Sequence, residues 1–167
     1  MRFILFVSFF LFISCSQYQR ILKSDNIELK YTEAVEYYNN GDYHRSLPIF
    51  ESILTEFIDV KKTEDIYYYY IYSLFNVNDY NSSSYHFQNF SKKFPYSDRK
   101  EEMDFMFAYC YYMQSPRYNL DQENTYKAID ELQFFITNYG NSDRSNQATK
   151  LLFDLTLFQQ QSKFQRR

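Results

Sequence analysis

The sequence predicts an all-α chain built as a helical solenoid, and three observations predict it. Its 167 residues include only two glycines and three prolines. An all-β chain needs a turn residue roughly every 8–12 positions, which these cannot supply. From Ile27 onward apolar residues recur at the spacing of amphipathic helices. Small residues, aromatics and turn dipeptides also return at a fixed step of 37 positions, from Ala34 to Ile71 to Ala108, and such a period marks a repeat architecture. The length suits one domain. Aromatic residues at 22% argue against disorder. Eighteen Lys and Arg against 21 Asp and Glu leave a net charge of −3, which gives no electrostatic case for nucleic acid. No GxGxxG or GxxxxGK[ST] string is present, so a Gly-rich phosphate loop is excluded.

The first element is an address. Arg2 supplies a positive charge, and Phe3 to Ile13 is apolar except for Ser8. Those residues make about 16 Å of helix, against about 30 Å of hydrocarbon, so the segment reads as the core of a signal peptide over 1–14. Leu11-Phe12-Ile13-Ser14-Cys15 resembles the bacterial lipobox, with Phe12 where the common pattern prefers Leu. That resemblance implies cleavage before Cys15 and lipid attachment on its thiol. Ser16, rather than Asp, follows the cysteine and points to the outer membrane by the same resemblance. Residues 15–26 read as a lipidated tether. The competing reading is an ordinary signal peptide with an incidental cysteine.

The body, 27–160, repeats. Tyr37, Leu74 and Tyr111 keep the 37-residue step, as do Tyr38, Phe75 and Tyr112. Gly41-Asp42-Tyr43 returns as Asn78-Asp79-Tyr80, and Phe50 returns as Phe87. Gly or Asn at that turn tolerates the left-handed backbone that ends a helix. Ala34 and Ala108 let two helices approach closely, and one pair cannot bury its apolar face alone, so pairs must stack. These features resemble the tetratricopeptide repeat, whose usual unit is about 34 residues. Ser46, Ser83 and Ala128 take the small position of the second helix. The units fall near 27–59, 63–97 and 98–142, about three repeats, with one further helix at 143–160 and a polar tail at 161–167. In the third unit the turn is longer, through Ser115-Pro116-Arg117-Tyr118-Asn119-Leu120-Asp121-Gln122, and a long exposed loop in a compact array is often functional.

That loop, with Thr125-Tyr126-Lys127-Ala128-Ile129-Asp130-Glu131-Leu132 behind it, resembles the BamD family of outer-membrane assembly lipoproteins in its Bacteroidetes form. The lipobox, Tyr31-Thr32-Glu33-Ala34, Gly41-Asp42-Tyr43 and Phe94-Pro95-Tyr96-Ser97 match in order. Family members carry more repeats, so the chain reads as C-terminally short. The resemblance implies a role in β-barrel insertion, unfolded outer-membrane proteins as ligands, and a BamA-like barrel assembly protein as partner, docked largely through the C-terminal repeats. The long exposed loop itself offers Pro116, Arg117, Tyr118 and Asp121 as candidate partner contacts.

No catalytic, metal or cofactor constellation is legible. His44 and His86 lack the neighbours of a zinc motif. Cys110 sits in an apolar run and reads as a small buried hydrophobe. Glu64-Asp65 and Glu101-Glu102 read as helix starts, where acids complement the dipole. The stronger candidate is an aromatic groove. Counted from the small residue of each first helix, its lining is Tyr31, Val35 and Tyr38, then Tyr68, Tyr72 and Phe75, then Phe105, Tyr109 and Tyr112. Tyrosine, with an apolar body and a polar tip, suits a half-wet groove that grips a peptide. The same positions also suit core packing. Two other classes compete: a periplasmic tetratricopeptide adaptor of envelope division or polysaccharide export, and a glycosidase on a helical solenoid, which needs a positioned Glu.

Overall fold

The computed structural model describes residues 17–56, 59–116, 121–140 and 142–165, and among them no strand occurs. Helix α1 covers 17–22. It is followed by α2 (Ile27–Asn39), α3 (Tyr43–Ile53), α4 (Val60–Asn76), α5 (Tyr80–Lys93), α6 (Lys100–Met113), α7 (Glu123–Tyr139) and α8 (Asp143–Gln165). The helices belong to two compact units, one ending at Val77 and the other starting at Asn78. The all-α, tetratricopeptide-like prediction therefore holds.

In the first unit α2 packs on α3, α3 on α4, and α2 also reaches α4. Ala34 is fully buried on α2, and its methyl side chain is what lets the helices close up. Ile49, Phe50 and Ile53 of α3 and Ile66 and Ile71 of α4 are all buried in the apolar core. The small residues Ser46 and Ser73 are both fully buried. Their hydroxyls share a 3.0 Å hydrogen bond between α3 and α4, so neither polar group is stranded.

The turn after α2 follows from its residues. Gly41 has φ +76°, a backbone that side chains disfavour. Its N–H donates to the Tyr38 carbonyl, and Asp42 N–H donates to the Tyr37 carbonyl, closing the helix end. Asp42 then caps α3 by accepting from Arg45 N–H at 3.3 Å. Asn78 stands at the equivalent place with φ +64°, and Asp79 caps α5 by accepting from Ser82 N–H at 3.1 Å. One turn design thus serves twice.

In the second unit α5 packs on α6, α6 on α7 and α7 on α8, while α6 also reaches α8. Phe87, Phe90, Met103, Ala108, Ala128 and Leu132 form its buried core. Glu101 and Glu102 lie in the first turn of α6, as expected. Glu102 holds Arg144 of α8 at 3.0 Å. Lys100 pairs with Asp104 one turn along α6, and both reach Tyr139 of α7: Lys100 donates to its hydroxyl at 3.1 Å, which donates to Asp104 at 2.5 Å.

Three expectations change. The stretch 17–22, assigned to a tether, is a helix. Ile21 is only 5% exposed, and the Tyr18 ring meets Tyr37 edge-on at 5.9 Å. Burial of one side and this ring contact outweigh the segment's polar composition. Glu64 and Asp65 do not begin α4, because Asp59 caps it, accepting from Lys62 N–H at 2.7 Å. The last helix continues through Gln165, so most of the expected polar tail is helical. The signal segment 1–14 lies outside the described residues.

Candidate peptide-binding surfaces

Of the predicted groove residues of the first unit, Tyr38, Tyr68 and Tyr72 come together through Tyr69 as an aromatic band on α2 and α4. Tyr38 meets Tyr69 edge-on at 4.9 Å and Tyr43 at 5.3 Å. Tyr69 lies flat on the buried Phe50 ring, 5.5 Å away with planes 8° apart. Tyr68 joins Tyr69 at 5.7 Å and Tyr72 at 4.6 Å. At the other end of α2, Tyr31 takes the Lys62 ammonium 5.6 Å from its ring centre, and Glu28 holds the same ammonium at 2.5 Å. Tyr31, Val35, Tyr38, Tyr68, Tyr72 and Phe75 are all half-buried. Rings anchored from below and open above are what an aromatic binding surface requires.

The second unit carries its own ladder on α6. Phe105 stacks on Tyr109 at 5.9 Å and 11°, and Tyr109 stacks on Tyr112 at 5.7 Å and 12°. The spacing of four and then three residues puts all three on one helix face. Burial raises the Tyr109 phenol above its ordinary pKa, with Tyr112, Tyr80 and Cys110 adding to the shift. The hydroxyl therefore keeps its proton at neutral pH and remains a donor.

Phe105 departs from the expected groove. It is 8% exposed and meets Phe135 of α7 edge-on at 5.5 Å. The helix after the long loop covers it, so it supports the ladder from the core while Tyr109 and Tyr112 form the half-open part. Tyr69 was missed by the repeat count. It follows no 37-residue rule, since Thr32 and Met106 hold the equivalent places, yet its ring ties the first band together.

Of the expected partner loop, Pro116 and Asp121 are described, while Arg117 and Tyr118 lie outside the described residues, as does Cys15. Asp121 accepts from Glu123 N–H at 3.2 Å and so starts α7. Near the loop, the Lys127 ammonium sits 4.7 Å from the Tyr111 ring centre. Its hydrogen bond to Tyr111 is the main reason that its pKa is raised.

Cys110 is fully buried, and burial pushes its thiol pKa up to about 12. A thiol held protonated is a packing group and a poor nucleophile. Among the described residues no three His, Cys, Asp or Glu side chains converge as metal ligands, and no helix is long and apolar enough to cross a membrane.

No curated protein matches the chain. A family model described as outer membrane lipoprotein, YfiO, matches residues 24–157, which takes in α2 to α7 and most of α8. A helical array with open tyrosine bands and that match over most of its length identify the chain as a member of the YfiO outer membrane lipoprotein family.

Proposed function

We propose that the chain is a lipid-anchored scaffold of the outer-membrane β-barrel assembly machinery, facing the periplasm and binding unfolded barrel proteins and a BamA-like partner. The observation that carries this reading is the pair of half-exposed tyrosine bands, one on α2 and α4 and one on α6. Membership of an outer membrane lipoprotein family supports it, and so does the Ser14-Cys15 sequence after an apolar run. On this reading Cys15 bears the acyl groups that hold the chain at the bilayer.

The ligand fits the surface chemically. A barrel strand alternates apolar and polar side chains and, at its ends, carries aromatics. Such rings pair edge-on or offset with Tyr68 and Tyr72 of the one unit or with Tyr109 and Tyr112 of the other, while the tyrosine hydroxyls serve the strand's unpaired backbone. The test measures binding of a peptide with aromatics at alternate positions, taken from the end of a barrel protein. Tyr72→Ala with Tyr109→Ala should weaken binding at least tenfold, because each buried aromatic anchor is worth about 2 kcal/mol. Unchanged affinity in a variant with a native circular dichroism spectrum rejects the tyrosine bands as the ligand surface. Depletion in cells adds a second check: barrel proteins should disappear from the outer membrane.

A further inference from the structure

We infer that α1 is a bracket that seats the first unit directly on the lipid headgroups, so that the chain is fixed to the bilayer surface rather than suspended from it. The inference rests on the acylation of Cys15 proposed above. Its starting point is the helix that replaces the expected tether.

The magnitudes decide the geometry. Twelve extended residues, 15–26, would give the folded unit a reach of about 40 Å from the lipid. Helix α1 begins at Gln17, so only two links separate it from Cys15, and two links span at most about 7 Å. The helix is not free to swing. Ile21 is buried, Tyr18 packs edge-on against Tyr37 of α2, and the Tyr18 hydroxyl donates to the Arg45 carbonyl of α3 at 3.3 Å. The Arg45 guanidinium lies 6.0 Å from the Tyr18 ring centre and 5.7 Å from that of Tyr37. Its other tie is to Asp42 at 3.2 Å. A ring from α1, a ring from α2 and a cation from α3 thus lock together.

The free side of α1 suits headgroups. Gln17, Gln19 and Arg20 are its exposed residues, and Lys23 and Asp25 are exposed in the turn that follows. Those on α1 are neutral-polar or cationic, and none is an apolar side chain that would need to enter hydrocarbon. Arg20 and Lys23 match anionic phosphate groups. Wall-facing lipid is therefore the partner that this face fits.

The experiment uses the full chain, processed and acylated in cells and then reconstituted into vesicles of phosphatidylethanolamine and phosphatidylglycerol carrying a nitroxide on the headgroup. His44→Cys places a fluorophore on an exposed residue next to Arg45 but far from Cys15 in sequence, and Cys110 is too buried to compete for the label. Headgroup nitroxide should quench this label. A ten-residue Gly/Ser spacer between Ser16 and Gln17 should abolish most of the quenching, as should Tyr18→Ala with Ile21→Ala. Mass spectrometry of the same sample reports acylation. An acylated chain whose His44 label is not quenched, or is quenched equally with the spacer, overturns the bracket. A chain with no acyl group on Cys15 overturns the lipid reading itself, and the bracket with it.

Discussion

Gly41 and Asn78 do the same job in successive turns, which permits a quantitative test of the repeat. At Gly41 the backbone has φ +76°, and a Cβ built there meets nothing within 4 Å. Gly41→Ala therefore changes only backbone preference, with no packing contribution. Holding an Ala in the left-handed region costs about 1–2 kcal/mol. The stiffer unfolded chain returns about 0.4–1 kcal/mol of that, leaving a net loss near 1 kcal/mol. Gly41→Asn should cost less, because Asn tolerates this region, as Asn78 does at φ +64°. Asn78→Gly should be close to neutral, although it loses the 2.7 Å bond from the Tyr80 hydroxyl to the Asn78 side chain. Urea titrations followed by circular dichroism measure all three. The expected order of stability is wild type, then Gly41→Asn, then Gly41→Ala, with slopes unchanged. If Gly41→Ala matches wild type, or Gly41→Asn is as damaging as Gly41→Ala, then left-handed geometry is not what selects these residues.

Two further predictions concern protons and thiols. The Lys100 pKa is raised: burial lowers it, but the hydrogen bonds from its ammonium to Asp104 and Tyr139 outweigh that. The Tyr139 phenol is also raised, chiefly by burial and then by its bond to Asp104. Both groups hold protons more tightly when folded, so the stabilisation is complete below their unfolded values, near 10.5 and 10.0, and is lost as pH climbs past the folded ones. Tyr139→Phe should flatten the decline of thermal stability above pH 10, and an identical decline in the variant would show that this cluster is not its source. At Cys110, with a pKa pushed to about 12, a thiol reagent at pH 8 should label the native chain far more slowly than the urea-unfolded chain. Equal rates would contradict its burial.

The helices were legible where the signal was local. Gly41, Asn78 and the aspartates after them stop one helix and cap the next, and these acts involve neighbours in sequence. Ala34, Ile71 and Ala108 are fully buried, as their common step implies. What escaped the sequence depends on distant partners. Helix α1 is polar over most of its six residues, and its place comes from Tyr37 and Arg45, which no pattern within 17–22 reveals. The start of α4 was set three residues late because Val60 to Asp65 shows no apolar rhythm, and the Asp59 cap alone marks it. Phe105 keeps the groove register yet is covered by Phe135, a partner on the following helix that the register within α6 does not reveal. The aromatic bands themselves were half legible. Spacing grouped Tyr38, Tyr68 and Tyr72, but Tyr69, the ring that joins them to Phe50, follows no period.

The order of packing within each unit has a consequence for how the molecule is made. Within the first unit α3 rests on α2 and α4 on α3, and within the second α6 rests on α5, α7 on α6 and α8 on α7, with lighter touches from α2 to α4 and from α6 to α8. Native neighbours are thus close along the chain, the condition for rapid folding. A strand of polypeptide emerging amino end first acquires its final partners almost as each segment appears. Loosening should likewise start at an open end and run inward like a zip, leaving the innermost hairpins of each unit closed the longest.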